Sequence, residues 1–180
     1  KVTYREFIFF HLTALFVCSI YSIDTHAASQ RVISTSPAIT EILFAVGSGN
    51  RVVGVTDYCN YPKNACLLPS IGGPLNPNTE KWIALKPDLI ILQDDSVVLK
   101  KHAKVFKIPT LEVSVNNLGN ILTSIQVIAD AMQTPKEGKQ LVDKIKKQID
   151  NYRTSIGKTK PRHVLMLLSD TNDPSRDLYA

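Results

Sequence analysis

The sequence predicts an α/β fold with a mostly parallel sheet, and three observations carry that prediction. Short β-branched or aliphatic runs (RVIST, RVVGVT, LIIL, TLEV) alternate with segments whose apolar residues fall at helical spacing. That alternation implies βαβ crossovers and a sheet covered on both faces. A long helical segment with one apolar stripe then follows, and after it a fresh aliphatic run, HVLMLL at 163–168. A single-stripe rod between a finished sheet and a new strand reads as a bridge to a second lobe. The expected architecture is a parallel-sheet N-terminal α/β lobe, a long connecting helix and the first strand of a second α/β lobe. Both ends of the sequence are expected to be cut. The composition agrees with a folded protein: 44% hydrophobic, 21% charged and 7% aromatic residues exclude a disordered tail, a collagen-like fibre and a disulfide-dense miniprotein.

Residues 1–27 stand apart from this pattern. Lys1 and Arg5 precede a mostly apolar run from Phe7 to Ile23, and Thr25 and Ala27 supply the small residues of a cleavage site. That order is a secretory signal peptide. The alternative is a membrane anchor, made less favourable by His11, Thr13, Ser19 and Ser22 within the run. A lipoprotein anchored at Cys18 fits less well, because Val17 stands where a small residue is usual. The expected location is therefore the periplasm, reached by export.

The elements follow in order. RVIST ends at Ser36-Pro37, an N-cap and a proline suited to the first helical turn, and Ile39, Ile42, Leu43 and Val46 give that helix its apolar face until Gly47. RVVGVT at 51–56 is the second strand. Residues 57–78 are rich in Pro, Gly, Asn and Tyr and read as a long surface loop of the kind that carries function. Asn78 caps a helix over 79–86, Leu89 to Leu92 is a buried strand, and 96–107 is a helix with a basic outer face. Thr110 to Val113 is a strand and Leu118 to Met132 an apolar helix. Thr134-Pro135-Lys136-Glu137 reads as a capping box opening the rod, whose stripe is Leu141, Ile145, Ile149 and Tyr152. The boundaries are 1–27 signal peptide, 28–133 N-terminal lobe, 134–157 interlobe helix and 158–180 the start of a C-terminal lobe.

The net charge of +5 survives removal of the signal, and nine bases against three acids between Lys136 and Arg162 place the excess on the rod. A Lys-rich helix face is a solvated face, and no groove-reading motif or interleaved aromatics point to nucleic acid. Cys59 and Cys66 flank a Pro-containing turn, and in an oxidising compartment they either pair or remain separate thiols. Their spacing is not a zinc motif, and no His/Asp/Glu cluster suggests a metal or cofactor. Ser34, Ser36, His102 and Asp57 make a hydrolytic triad only on paper: neither serine sits in a GxSxG elbow, and His102 lies in a basic run that reads as solvated.

Five stretches carry a resemblance: Arg31 to Glu41 (RVISTSPAITE), Val53 to Pro62 (VGVTDYCNYP), Ile71-Gly72-Gly73, Asn78-Thr79-Glu80, and Ala84 to Ile90 (ALKPDLI). In their order and spacing they resemble the substrate-binding proteins of ABC importers for vitamin B12, haem and iron-siderophores. The resemblance implies two α/β lobes joined by a rigid helix, with ligand held beyond the carboxyl ends of the strands, a placement that open α/β sheets share. It implies no enzymatic activity, a cobalamin or iron-chelate ligand, and an ABC permease in the inner membrane as partner. On this lobe the ligand-binding residues are expected to be Tyr58, with Ser36, Asp57, Pro74, Leu75 and Asp94. Tyr58 matches a tyrosine that packs on the corrin ring in cobalamin-binding members. Pro74 stands where those members carry a cleft tryptophan, and Trp82 reads as core. Glu80 matches an acid that docks on permease arginines; as an acid in a first helical turn it also complements the helix dipole. A secreted α/β enzyme of hydrolase type using the same loops is the alternative. One lobe by itself is expected to bind ligand poorly.

Overall fold

The computed structural model describes residues 29–157. The expected signal peptide and the strand at 163–168 lie outside the described residues. Strands β1 (Val32–Ser34), β2 (Val52–Gly54), β3 (Leu89–Gln93) and β4 (Thr110–Val113) form one sheet in the order β2-β1-β3-β4. Every pairing is parallel, so each connection is a crossover and helices cover both faces. The helices are α1 (Pro37–Ala45), α2 (Thr79–Leu85), α3 (Val97–Val105), α4 (Leu118–Ala131) and α5 (Pro135–Ile156).

The two-residue period of the strands sorts the core into two layers. From β3, Leu89 and Ile91 enter one apolar cluster with Ile39, Leu43, Ile125, Ile128 and Met132. Ile90 and Leu92 enter the other, with Ile71, Trp82, Leu99 and Ala103. The first layer is built with α1, α4 and α5, the second with α2 and α3. Trp82 is fully buried, as expected of a core residue.

Three helices carry side-chain N-caps, two of them expected at Ser36 and Asn78, while Ser96 before α3 makes no cap bond. Ser36 accepts from the Ile39 N–H at 3.4 Å, Asn78 from the Lys81 N–H at 3.1 Å, and Asn117 from the Asn120 N–H at 2.9 Å. Thr134 does not close the expected capping box: its hydroxyl turns back to donate to the Ala129 carbonyl at 3.4 Å. The tight α4–α5 corner draws it there. Within that corner Gly138 is buried, and a Cβ on it would overlap the Ala129 methyl group. The rod α5 packs its first half on the lobe through Leu141, Val142 and Ile145. From Asn151 onward every residue is exposed, including Tyr152 and Ile156.

The strand expected over 51–56 is shorter than its apolar run. A 3-10 turn at Gly49–Arg51 precedes it, and beyond Gly54 the chain pairs Val55 with Ser70 instead. The long loop 57–78 is consequently more ordered than its composition suggests, with a 3-10 turn at Lys63–Leu67 and an antiparallel bridge between Gly72 and Pro77.

Candidate functional site

The carboxyl ends of β1, β2, β3 and β4 release the chain at 35–36, 55–61, 94–96 and 114–117, and the loop 70–78 folds over the same end. Its base is a short addition to the sheet: Val55 N–H donates to the Pro69 carbonyl at 3.1 Å and Ile71 N–H to the Val55 carbonyl at 2.8 Å. Gly72 then takes φ +83, a conformation in which a Cβ would lie 2.5 Å from the Asn76 carbonyl oxygen. Gly73 is buried beside Tyr58 and Asn76: a Cβ there would lie 2.8 Å from Asn76 Oδ1, 3.5 Å from Tyr58 Cε2 and 3.9 Å from its hydroxyl. Tyr58 itself is 65% exposed. An exposed aromatic ring whose edge borders a buried glycine offers area to a flat apolar partner.

Beside this ring lies a cavity of about 360 Å3 lined by Pro74, Leu75, Gln93, Asp95, Ser96, Val97, Val98 and Leu99. Leu75 is 89% and Val97 73% exposed, apolar area that water solvates poorly. A larger cavity of about 530 Å3, near Leu89, Pro109 and Thr110, opens at the amino ends of β3 and β4, the wrong end for a ligand of an open α/β sheet. A third, of about 290 Å3, lies along the α1–α4–α5 seam with Tyr61 at its edge.

Of the residues expected at the ligand, Tyr58, Pro74 and Leu75 come together around Gly73. Asp57 is exposed next to Tyr58, and its Oδ1 accepts from the Ser70 hydroxyl. Asp94 is exposed at the turn after β3, but Asp95 is the acid that lines the cavity. That turn is fixed by Lys100, whose Nζ donates to the Asp94 carbonyl at 2.5 Å and pairs with Glu112 at 2.7 Å. Ser36 is buried, with its hydroxyl accepting the Ile39 N–H as the α1 cap. Glu80 is exposed in the first turn of α2 and has no ion-pair partner among the described residues.

Cys59 and Cys66 are separate thiols in the structure. Cys59 is buried, with its Sγ 3.2 Å from Thr40 Oγ1 and 3.1 Å from Thr56 Oγ1, whereas exposed Cys66 donates to the Asn60 carbonyl at 3.3 Å. No His/Cys/Asp/Glu group suited to a metal occurs among the described residues.

The hydrolytic alternative is not supported. Ser34 Oγ is buried 2.7 Å from Thr40 Oγ1, and Asp57 is bound to Ser70. His102 is not on a solvated face as expected: it is half-buried, with its ring edge-on to Trp82 at a centroid distance of 6.4 Å. That places it in the α2–α3 layer, while Ser34 and Ser36 serve α1. Ser70 and the Trp82–His102 contact were not legible in the sequence, since neither lies in a periodic pattern or a motif.

Residues 32–175 match the family model for periplasmic binding proteins. The chain is 32% identical over 158 residues to YvrC, an uncharacterised ABC transporter substrate-binding lipoprotein of Bacillus subtilis, covering 83% of this chain and 49% of that one. It is 28% identical over 158 residues to the vitamin B12-binding protein of Pectobacterium atrosepticum, covering 87% of this chain and 55% of that one. Among solved structures, the periplasmic haem-binding protein RhuT of Roseiflexus superposes with a TM-score of 0.71 at 28% identity, over 81% of this chain and 57% of that one. The chain thus spans about half the length of the curated relatives it matches. With the parallel sheet, the strand-end cleft and these matches together, the chain belongs to the periplasmic binding protein family.

Proposed function

We propose that this chain is the solute-binding part of an ABC importer, contributing one wall of a cleft that captures cobalamin or an iron chelate outside the cytoplasmic membrane. The observation that carries this reading is the exposed Tyr58 ring bordering Gly73 beside the cavity of Pro74, Leu75 and Val97. A rigid aromatic face buries much ligand area at low entropic cost. Loops 34–37, 56–61, 72–76, 93–96 and 114–116 contain no Lys or Arg, while Asp57, Asp94 and Asp95 are exposed. An anionic ligand such as haem, with its propionates, would find no countercharge on these loops. The lobe therefore favours the uncharged, amide-bearing side of a cobalamin or a chelate without exposed anions.

Glu80, exposed and unpaired at the start of α2, is the proposed contact for basic residues of the permease. A rim carboxylate of this kind orients an encounter more than it tightens it. The test is equilibrium dialysis of the full chain against cyanocobalamin, haemin and a neutral ferric chelate, with Trp82 emission followed in parallel. Weak but saturable retention of cyanocobalamin or the neutral chelate, and weaker retention still of haemin, is the expected result. Absence of retention of all three sinks the reading.

A further inference from the structure

The loop that carries Pro74 and Leu75 and the turn that carries Tyr58 come from different stretches of chain, and one side chain joins them. The half-buried Ser70 hydroxyl donates its single proton to Asp57 Oδ1 and accepts the Gly72 N–H at 3.1 Å. Each of its bonds ends beside one member of the Tyr58–Gly73 contact: Asp57 adjoins Tyr58, and Gly72 adjoins the Gly73 that the ring borders. Ser70 is itself held by the sheet, through the Val55–Ser70 bridge and the Ile71 N–H donated to the Val55 carbonyl at 2.8 Å. The 72–78 loop is closed on the same base, with the Asn78 N–H donating to the Ile71 carbonyl at 2.8 Å.

We propose that Ser70 is a positioning residue of the ligand cleft, its hydroxyl joining Asp57 to Gly72 so that the Tyr58 ring is held against Gly73 ready for ligand. The inference rests on the solute-binding reading for its consequence and on the geometry alone for the placement of the ring. A hydroxyl is required because the position must donate to a carboxylate and accept from an amide at once. Without it the Gly72 N–H loses its acceptor. The Asp57–Tyr58 turn is then left with the Cys59 N–H donated to the Thr56 carbonyl at 3.1 Å. A ring free to leave Gly73 must be ordered when ligand arrives, and that cost falls on affinity.

The experiment compares Ser70→Ala and Ser70→Thr in the full chain by two readouts. The first needs no ligand: the nuclear Overhauser contact between the Tyr58 ring and the Gly73 Hα, expected in wild type and S70T and lost in S70A. The second is the dissociation constant for cyanocobalamin, expected to weaken about tenfold in S70A, the lower worth of a hydrogen bond to a charged group, and to recover in S70T. In a Tyr58→Ala background the S70A effect on affinity should vanish, because Ser70 acts through the ring. A ring contact that persists in S70A overturns the proposal. So does an S70A that lowers the melting temperature but leaves affinity intact, or an effect that adds fully to that of Y58A. If wild type retains none of cyanocobalamin, haemin and the neutral chelate, the solute-binding reading fails, and the ring contact alone still decides what Ser70 does.

Discussion

Single residues divide between those that hold the lobe together and those left for another molecule. Trp82 belongs to the first kind: fully buried against Ile33, Ile90 and Leu99, it should cost about 3–5 kcal/mol when replaced by Ala, measured by denaturant unfolding. Tyr58 belongs to the second. Its ring is open to solvent and borders a glycine, so Tyr58→Ala should leave stability nearly unchanged while weakening retention of cyanocobalamin about tenfold or more. A fall in melting temperature equal to that of W82A would instead make Tyr58 a structural residue. Glu80→Ala should leave ligand affinity intact and lower stimulation of a reconstituted permease's ATPase; a lost ligand affinity would place Glu80 in the cleft. The sequence showed Trp82 as core through helical spacing, and Tyr58 through its position after the second strand. It could not show Ser70, whose role depends on a sheet pairing between Val55 and residue 70 that no local pattern announces.

Among the elements, the five helices and four strands were legible because each carries an apolar period and a cap or a stop. The misplaced boundaries share one cause: tertiary contacts outbid local signals. β2 ends early because Val55 pairs with Ser70, and Thr134 abandons its capping role because the α4–α5 corner is tight. That corner gives a sharp expectation. Gly138→Val has no room against Ala129 and should destabilise the fold by about 1–3 kcal/mol through overpacking, while Gly138→Val combined with Ala129→Gly should recover part of the loss. Unfolding curves of the two variants decide it. Further along α5, Lys139 holds the Asp143 carboxyl below the ordinary value of 3.8, chiefly by a hydrogen bond and then by its charge. A lowered folded value means the stabilisation is present above the unfolded value and disappears as pH falls through the folded one. Lys139→Ala should move the Asp143 titration upward, as read by carboxyl NMR shifts.

At the scale of the whole lobe, the strands divide the core into two layers but do not make it two objects. Val32 and Ile33, adjacent in β1, face opposite layers, so neither layer can open without disturbing the strand that serves the other. Loss of Trp82 emission, which reports the α2–α3 layer, should coincide with loss of far-ultraviolet ellipticity in guanidinium. An earlier fluorescence transition would show that the layers part separately.

The rod α5 adds a mechanical consequence to its packing. It is held on the lobe from Gly138, which meets Ala129, to Ile145, and from Asn151 to Gly157 its residues are exposed. Gly157 lies twelve residues beyond Ile145, about 18 Å of helix at 1.5 Å per residue. A tilt of about 10° at the packed half therefore moves the Gly157 end by about 3 Å. One missing side chain at position 138 thus helps to fix the aim of a lever, and a small defect along the packed half is magnified at its tip.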